Sequence, residues 1–295
     1  MAYTFSIIIP HKNIPSLLQR CLDSIPVRDD LQIIIVDDNS DPKKVDFNNF
    51  PGLNDARCHV LFSKEGKGAG FARNIALSVV DSRWVLFADA DDFYSTDTLN
   101  ELLNKYKDSD CQTVYFYNET VDNDTLSPVD LDKFVETLVQ ESERNKNVDC
   151  LRYKAYAPWT KMTKLELLKK HNILFEEIPA ANDCLFNVKV GYYANNFDVF
   201  KKKVYVRTIR QGSLFYSFDG KLLLSRVKCG YHVNRFLKSV GKLQGNHMET
   251  WNWFLDLRKV NWLLFLKNIP EYFYRTPWFV LKHHLFFLLK NRFRK

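Results

Sequence analysis

Several patterns that would settle the class of this chain at once are missing. Its six cysteines (Cys21, Cys58, Cys111, Cys150, Cys184, Cys229) include no C-x-x-C pair and have no histidine at metal-ligand spacing, which argues against a disulfide scaffold and a zinc site. Free buried thiols in a reducing compartment are the simplest account. Glycine is sparse, at 10 of 295 residues, and 46% apolar with 26% charged side chains excludes collagen, a pure coiled coil and disorder. Met1 to Thr4 lead straight into Phe5-Ser6-Ile7-Ile8-Ile9-Pro10 without a basic region, so no secretion signal is expected. The apolar stretch 278–289 is only a dozen residues long and contains Lys282, His283 and His284, too short to cross a bilayer.

Acid is missing from one end only. Residues 1–198 hold 22 Lys/Arg against 31 Asp/Glu, whereas 199–295 hold 20 against 4, so the net charge of +7 is −9 followed by +16. That asymmetry suits an acidic half able to hold metal ions and a basic half facing phosphates, nucleic acid or an anionic membrane. Unevenly spread solvated charge would look the same.

Phe5–Pro10 and Leu31–Val36 are continuous Ile/Val-rich runs, as parallel strands buried on both faces require. Leu17, Leu18, Cys21, Leu22 and Ile25 recur between them at helical spacing behind a cap at Asn13 and an early-turn Pro15, giving a β-α-β unit. A strand at 59–62, a helix at 71–80 after a glycine-rich turn, a strand at 84–88, a helix around Leu99 to Tyr106 and a strand at 113–117 extend it to an open α/β sheet. Such sheets bind ligands beyond the carboxyl ends of their strands. Past the polar stretch 121–128, helices are expected at 131–140, 163–171, 183–193, 221–238 and 251–266, with a strand at 199–209 and breaks at Pro270 and Pro277.

Two strands end in carboxylates: Val36-Asp37-Asp38-Asn39-Ser40 and Phe87-Ala88-Asp89-Ala90-Asp91-Asp92. Carboxylates this close favour protonation unless a cation compensates them, so a hard divalent ion near Asp89 and Asp91 is a natural resolution. Mg²⁺ or Mn²⁺ takes one or two protein carboxylates and completes its shell with phosphate oxygens and water. A solvated loop with helix-capping aspartates is the competing account. Gly66-Lys67-Gly68-Ala69-Gly70 precedes Phe71-Ala72-Arg73-Asn74 at a helix start, where backbone N–H groups can approach an anion. Phe71 stands where G-x-G-x-x-G needs its third glycine, and the G-K-[ST] ending of a P-loop is lacking. Asn182-Asp183 opens an amphipathic helix, so Asp183 suits either an N-cap or a general base. Arg207-Thr208-Ile209-Arg210-Gln211-Gly212-Ser213 offers two guanidinium groups and a glycine in a loop able to close over phosphates, or an ordinary basic hairpin.

Taken in order, Ser6 to Pro10, Val36 to Ser40, Gly68-Ala69-Gly70-Phe71-Ala72-Arg73-Asn74, Asp89-Ala90-Asp91-Asp92 and Asn182-Asp183 resemble the inverting GT-A glycosyltransferases of family 2, of bacterial surface-polysaccharide type. The likeness covers residues 5–115 well and 155–215 more loosely, where Trp159-Thr160-Lys161 is similar to the family's acceptor-side Trp-x-Lys segment. It implies an α/β fold with a Rossmann-like mixed sheet flanked by helices, and a nucleotide-sugar donor, UDP-linked for preference. Pro10 to Asn13 and Asp38 would bind its base and ribose. Gly68, Arg73, Asp89, Arg207 and Arg210 complete the donor-binding set, Asp89 and Asp91 would hold Mn²⁺ or Mg²⁺, and Asp92 would assist or cap a helix. Asp183 matches the catalytic base, preceded by Asn182 where many relatives have Glu. Residues 1–215 would form the catalytic domain, with a donor half at 1–120 and an acceptor half at 121–215, and 216–295 a helical basic and aromatic extension.

Rival readings are a sugar nucleotidyltransferase, whose glycine-rich signature is replaced here by Pro10-His11-Lys12-Asn13, and a basic binding protein for nucleic acid. No recognisable nucleic-acid motif is present and the carboxylates would repel a polyanion, so no nucleic-acid partner is expected. Residues 272–295 carry six Lys/Arg and no acid among Trp278, Phe279, Leu281, Leu285, Phe286, Phe287 and Leu288. That mixture suits an interfacial helix on an anionic inner leaflet, or a terminal helix docked on the protein itself. A glycan or lipid-linked glycan acceptor, and a cytoplasmic location peripheral to the inner membrane, would fit the family and the tail together.

Overall fold

A computed structural model describes residues 3–131, 134–210 and 219–282. The chain divides into two compact units, Met1–Ile178 with Asn182–Ser213, and Pro179–Ala181 with Leu214–Lys295.

The first unit is built on one eight-stranded mixed sheet. Its strands in chain order are β1 (Tyr3–His11), β2 (Leu31–Asp38), β3 (Cys58–Ser63), β4 (Ser82–Phe87), β5 (Phe93–Tyr94), β6 (Thr113–Asp122), β7 (Lys161–Lys164) and β8 (Phe197–Ile209), and their spatial order is β3-β2-β1-β4-β7-β6-β8-β5. β1 pairs in parallel with β2 on one side and β4 on the other. The order thus reverses at β1, and the crevice at its carboxyl end is the switch point where an open α/β sheet takes its ligand. β7 runs antiparallel to both β4 and β6.

Helices cover both faces because both faces of the central strands are apolar. On one side, Leu18, Cys21 and Leu22 of α1 (Pro15–Asp23) and Leu99, Leu102 and Leu103 of α3 (Thr96–Tyr106) pack on Phe5, Ile7, Ile9, Ile33 and Trp84. On the other, Ala72 and Ala76 of α2 (Ala69–Val79), Leu165 and Leu168 of α6 (Leu165–Lys170), and Phe186 and Val190 of α7 (Cys184–Tyr193) cover Ile8, Ile34, Val85 and Phe87. Between them in sequence, α4 (Phe134–Asn145) and α5 (Asp149–Lys154) close over Tyr115 of β6.

The second unit holds α8 (Gly220–Ser239), α9 (Trp251–Val260) and α10 (Trp262–Arg275) around Tyr272, whose ring stacks on Phe254 at 3.9 Å. Its segment Pro179–Ala181 is tied to α8: the Ala180 N–H donates to Ser225 Oγ, Ser225 Oγ donates to the Ala180 carbonyl, and the Cys229 thiol donates to the Ala181 carbonyl.

Four expectations differ. α1 is capped by Ile14 without a side-chain bond; Asn13 instead takes a left-handed conformation (φ 62°) and ties two loops together. The expected helix 163–171 begins two residues later, because 161–164 form the central strand β7. The expected helix 251–266 is two helices broken at Asn261, whose Oδ1 accepts from Leu264 N at 2.9 Å to cap α10. Pro270 lies inside α10 instead of ending it. All six cysteines are free thiols.

Candidate active site

The carboxyl ends of β1, β2 and β4 lie side by side, with Pro10 opposite Val36 and Ile8 opposite Phe87. The loop after β1 is fastened to the loop after β2: Asn13 N donates to Ser40 Oγ (2.8 Å) and Asn13 Oδ1 accepts from Asp41 N (2.7 Å). Beneath them His11 Nε2 accepts from Ile14 N, which leaves Nδ1 to donate to Asp37 at 2.8 Å. Burial works against the Asp37 carboxylate, but bonds from His11 and Ser40 hold its pKa below the usual value. Asp37 is therefore a structural member of the pair, while Asp38 lies 3.4 Å from Lys12 Nζ. Asp38 Oδ2 accepts from Gly68 N at 2.8 Å, while Oδ1 is buried without a hydrogen-bond partner. Such orphaned acceptors are rare in native structures.

Two glycines shape the entry to α2. Gly68 has φ 96°, which favours glycine, and precedes the helix N-terminus. A Cβ on Gly70 would stand 2.2 Å from the Glu176 carbonyl oxygen and 3.0 Å from Asn182 Cβ, so only glycine lets α2 meet the segment leading to Asp183.

Arg73, at the start of the second turn of α2 and almost wholly buried, bridges two segments of the site. Its guanidinium bonds Asp89 Oδ1 at 2.5 Å and Asn182 Oδ1 at 3.0 Å, and lies 5.1 Å from the Phe175 ring centroid. The carboxylate run after β4 divides by environment. Asp92 is buried and structural: Tyr205 Oη donates to Oδ2 (2.8 Å) and Thr208 N to Oδ1 (2.7 Å). Asp91 bonds Arg210 Nε at 3.0 Å, and its carbonyl accepts from Arg20 (2.6 Å) and Thr208 Oγ1 (2.7 Å). Burial, then the Asp89 charge, pushes the Asp91 carboxyl above its ordinary range, with Arg210 opposing. Among the described residues no three His, Cys, Asp or Glu side chains are grouped to chelate a metal. Asp89 and Asp91 fit an ion that arrives with oxygen ligands from elsewhere, as Mg²⁺ or Mn²⁺ on a diphosphate does.

Asp183 occupies the N-cap position of α7, but its side chain makes no capping bond. Burial raises its pKa, Arg73 and Lys161 lower it, and Asp89 raises it further. The carboxyl thus sits within electrostatic reach of the same arginine that holds Asp89. Its backbone is fixed from below: Asn187 Nδ2 donates to the Asp183 carbonyl (2.9 Å) and to the Tyr156 carbonyl, and Asn187 Oδ1 accepts from Lys161 Nζ at 2.7 Å.

Trp159 and Lys161, expected on the acceptor side, are placed differently from each other. Trp159, half-buried, stacks on Tyr205 at 4.9 Å and 12°, and Tyr205 Oη accepts from Asp89 N while holding Asp92. Lys161 is 2% exposed and binds inside, with Nζ on the Ala155 carbonyl (2.5 Å) and Asn187. Burial pulls its pKa down to about 7, against the Asp183 and Cys184 charges. Arg207 lies within β8, opposite Thr120 of β6, not in a loop. Gln211 to Ser213 of the expected phosphate loop fall outside the described residues. Sequence reasoning did not find His11, Arg20, Tyr205, Thr208 or Asn187. Of these, His11 lay inside the quoted Pro10 to Asn13 turn and Thr208 inside the quoted Arg207 to Ser213 run, but neither was given a role of its own.

A mixed sheet covered by helices on both faces is the architecture of the GT-A class of nucleotide-diphospho-sugar transferase folds. Residues 6–171 match glycosyl transferase family 2, and the chain belongs to that family. It is 26% identical over 215 residues to the uncharacterized glycosyltransferase EpsJ of Bacillus subtilis, covering 71% of this chain and 62% of EpsJ. It is also 26% identical over 215 residues to the poly(ribitol-phosphate) beta-N-acetylglucosaminyltransferase TarS of Staphylococcus aureus, covering 70% of this chain and 36% of TarS. This chain thus spans less than two thirds of either relative. Among solved structures, S. aureus TarS 1–349 in complex with UDP-GlcNAc superposes with a TM-score of 0.61 at 22% identity, covering 87% of this chain and 71% of that one. The mannosyltransferase PcManGT from Pyrobaculum calidifontis, in complex with GDP-Man and Mn²⁺, gives 0.55 at 17% identity, covering 81% and 65%.

Proposed function

We propose that this chain is an inverting glycosyltransferase of cell-surface polymer synthesis, moving a sugar from a UDP-sugar to a hydroxyl of a glycan or lipid-linked glycan. The observation that carries this reading is Asp183: a carboxyl at a helix start that does not cap the helix, coupled through Arg73 and Asn182 to the strand-end carboxylates. The names of EpsJ and TarS support the reaction class, and the UDP-GlcNAc complex of TarS supports the donor type.

In the proposed reaction the acceptor oxygen attacks the anomeric carbon from the face opposite the diphosphate. The new C–O bond forms as the bond to the diphosphate oxygen breaks, which inverts the configuration, and the hydroxyl proton passes to the Asp183 carboxylate. Asp38 orients the donor through its unpartnered Oδ1. Arg73 keeps Asp89 and Asn182 in register, and Arg210 can exchange Asp91 for a diphosphate oxygen. The chemistry that Mn²⁺ or Mg²⁺ supplies when bound by Asp89 and Asp91 is stabilisation of charge on the leaving diphosphate. Arg207 and Trp159 are assigned to the donor and acceptor sides on the family likeness. A lipid-linked acceptor would bring the protein to the cytoplasmic face of a membrane, as a peripheral protein; among the described residues no helix is long and apolar enough to cross one.

Nucleotide release from a panel of nucleotide sugars tests the reading without knowledge of the acceptor. Asp183→Asn is expected to retain donor binding and lose about 10²- to 10⁴-fold in rate. Undiminished turnover by that variant refutes the assignment of the base, and failure of every donor to bind refutes the reaction class.

A further inference from the structure

The second unit carries a feature that sugar transfer does not use. The inner side of α10 is pinned by Tyr272, which packs against Phe254, Trp251 and Tyr231. Its outer side is also apolar. Leu263, Leu266, Pro270 and Phe273 recur every three or four residues, with Tyr274 beside Phe273, and all five face water, Leu263 at 77% and Tyr274 at 88% exposure. Trp262 and Trp278, at 54% and 71% exposure, stand at either end. The outward stripe of a surface helix is normally polar, and a contiguous exposed apolar face marks an interaction surface.

The chemistry around this face selects its partner. Trp, Tyr and Phe mixed with exposed Lys267 and Lys282 are the residues that settle at a membrane–water boundary, where an aromatic ring meets acyl chains and its polar edge meets water. The two acids of α9 and α10 are already neutralised on their own helices, Asp256 by Lys259 and Glu271 by Arg275, both at 2.7 Å. Over 214–295 there are 15 Lys/Arg against 4 Asp/Glu, so the unit as a whole attracts an anionic surface. We propose that the outer face of α10 docks this chain on an anionic phospholipid bilayer, with the helix lying in the interface. This sharpens the expectation attached to 272–295, of which 283–295 lie outside the described residues: the contact begins at Trp262. It shares with the proposed function only the membrane location and does not depend on the chemistry of transfer.

Co-sedimentation of the full chain with phosphatidylcholine vesicles containing about one third phosphatidylglycerol tests it. Binding is expected, weakened by salt. The variant Leu263→Ser/Phe273→Ser/Tyr274→Ser should bind about tenfold or more weakly while keeping its helical circular dichroism and its affinity for UDP. Three results would overturn the proposal: no binding by the unmodified chain, binding by the variant within about twofold of it, or a dimer in ultracentrifugation that the substitutions split, which assigns the face to a second copy. Loss of UDP binding in both proteins would count against the proposed function, not against docking.

Discussion

Lys161 tests the physical reading of the site most sharply. A lysine at 2% exposure binds two acceptors, the Ala155 carbonyl and Asn187 Oδ1, which match the two N–H groups of a neutral amine. Burial brings its pKa from 10.5 to about 7. The sign follows from proton counting: between the folded and unfolded values the unfolded chain binds the extra proton, so stability from this group rises with pH across that window. From half-protonation at about pH 7 up to about pH 9, the gain integrates to about 2 kcal/mol at ~1.4 kcal/mol per unit. Lys161→Met keeps the volume and removes the titration. At neutral pH the variant loses two hydrogen bonds and leaves two buried acceptors unmet, at about 1–3 kcal/mol each, but it is also relieved of an ion that is costly to bury. The two effects oppose each other near pH 7, and from about pH 7 to about pH 9 the unmodified protein should gain about 2 kcal/mol relative to the variant. Urea unfolding of both proteins at the two pH values measures it. Parallel pH dependence of the two curves, with a constant difference, would show that Lys161 does not carry the shifted proton and refute the argument.

Other consequences can be checked with the same proteins. Burial raises the Asp183 carboxyl, and a base must be ionised, so the acid limb of the transfer rate should lie above the ordinary carboxylate range of about 4; a rate still flat down to about pH 4 would refute it. With the folded pKa raised, the native state binds the extra proton and stability falls as pH rises through the window. Asp183→Asn should therefore melt higher than the unmodified protein at neutral pH, and an unchanged or lower melting temperature would contradict the assignment. Gly70→Ala should cost about 1–3 kcal/mol in urea unfolding, because its Cβ would stand 2.2 Å from the Glu176 carbonyl oxygen; an unchanged midpoint would mean that the segment yields freely.

What could be read beforehand follows from where the determining interactions lie. β1 and β2 were legible because a strand buried on both faces reads as a continuous apolar run, and α1, α2 and α3 because their buried residues recur at helical spacing. β7 was not, since Lys-Met-Thr-Lys is four residues long and runs directly into the leucines of α6; only its pairing with β4 and β6 makes it a strand. The break at Asn261 left one faint trace, an asparagine ahead of an apolar run, which is also a common interior residue. In the site, residue types at strand ends were visible locally but their partners were not. Arg73 meets Asn182 across 109 residues, Arg210 meets Asp91 across 119, and Tyr205 meets Asp92 across 113. From the sequence, Asp91 would hold the metal and its neighbour Asp92 would either assist or cap a helix. Packing separated them, giving one to an arginine at the crevice and the other to a tyrosine and a backbone N–H in the interior.

The same separation explains how so much acid is tolerated at one strand end. Three aspartates within four residues would repel one another strongly if all faced the crevice as ions. Asp92 is turned inward, where burial and the charges of Asp91 and Asp89 push its pKa well above the usual value while Tyr205 and Thr208 hold it in place. Asp89 is matched by Arg73 and Asp91 by Arg210. Each carboxylate that faces the crevice thus has one arginine able to release it, and each arginine comes from a different element, α2 or the end of β8. Removing either arginine should leave a different carboxylate uncompensated. Arg73→Met should therefore impair the Asn182–Asp183 side as well as Asp89, whereas Arg210→Met should act on Asp91 alone. In donor-binding and turnover measurements, the first is expected to lower both affinity and rate and the second chiefly affinity; equal losses in both would show that the two arginines do not divide the site in this way.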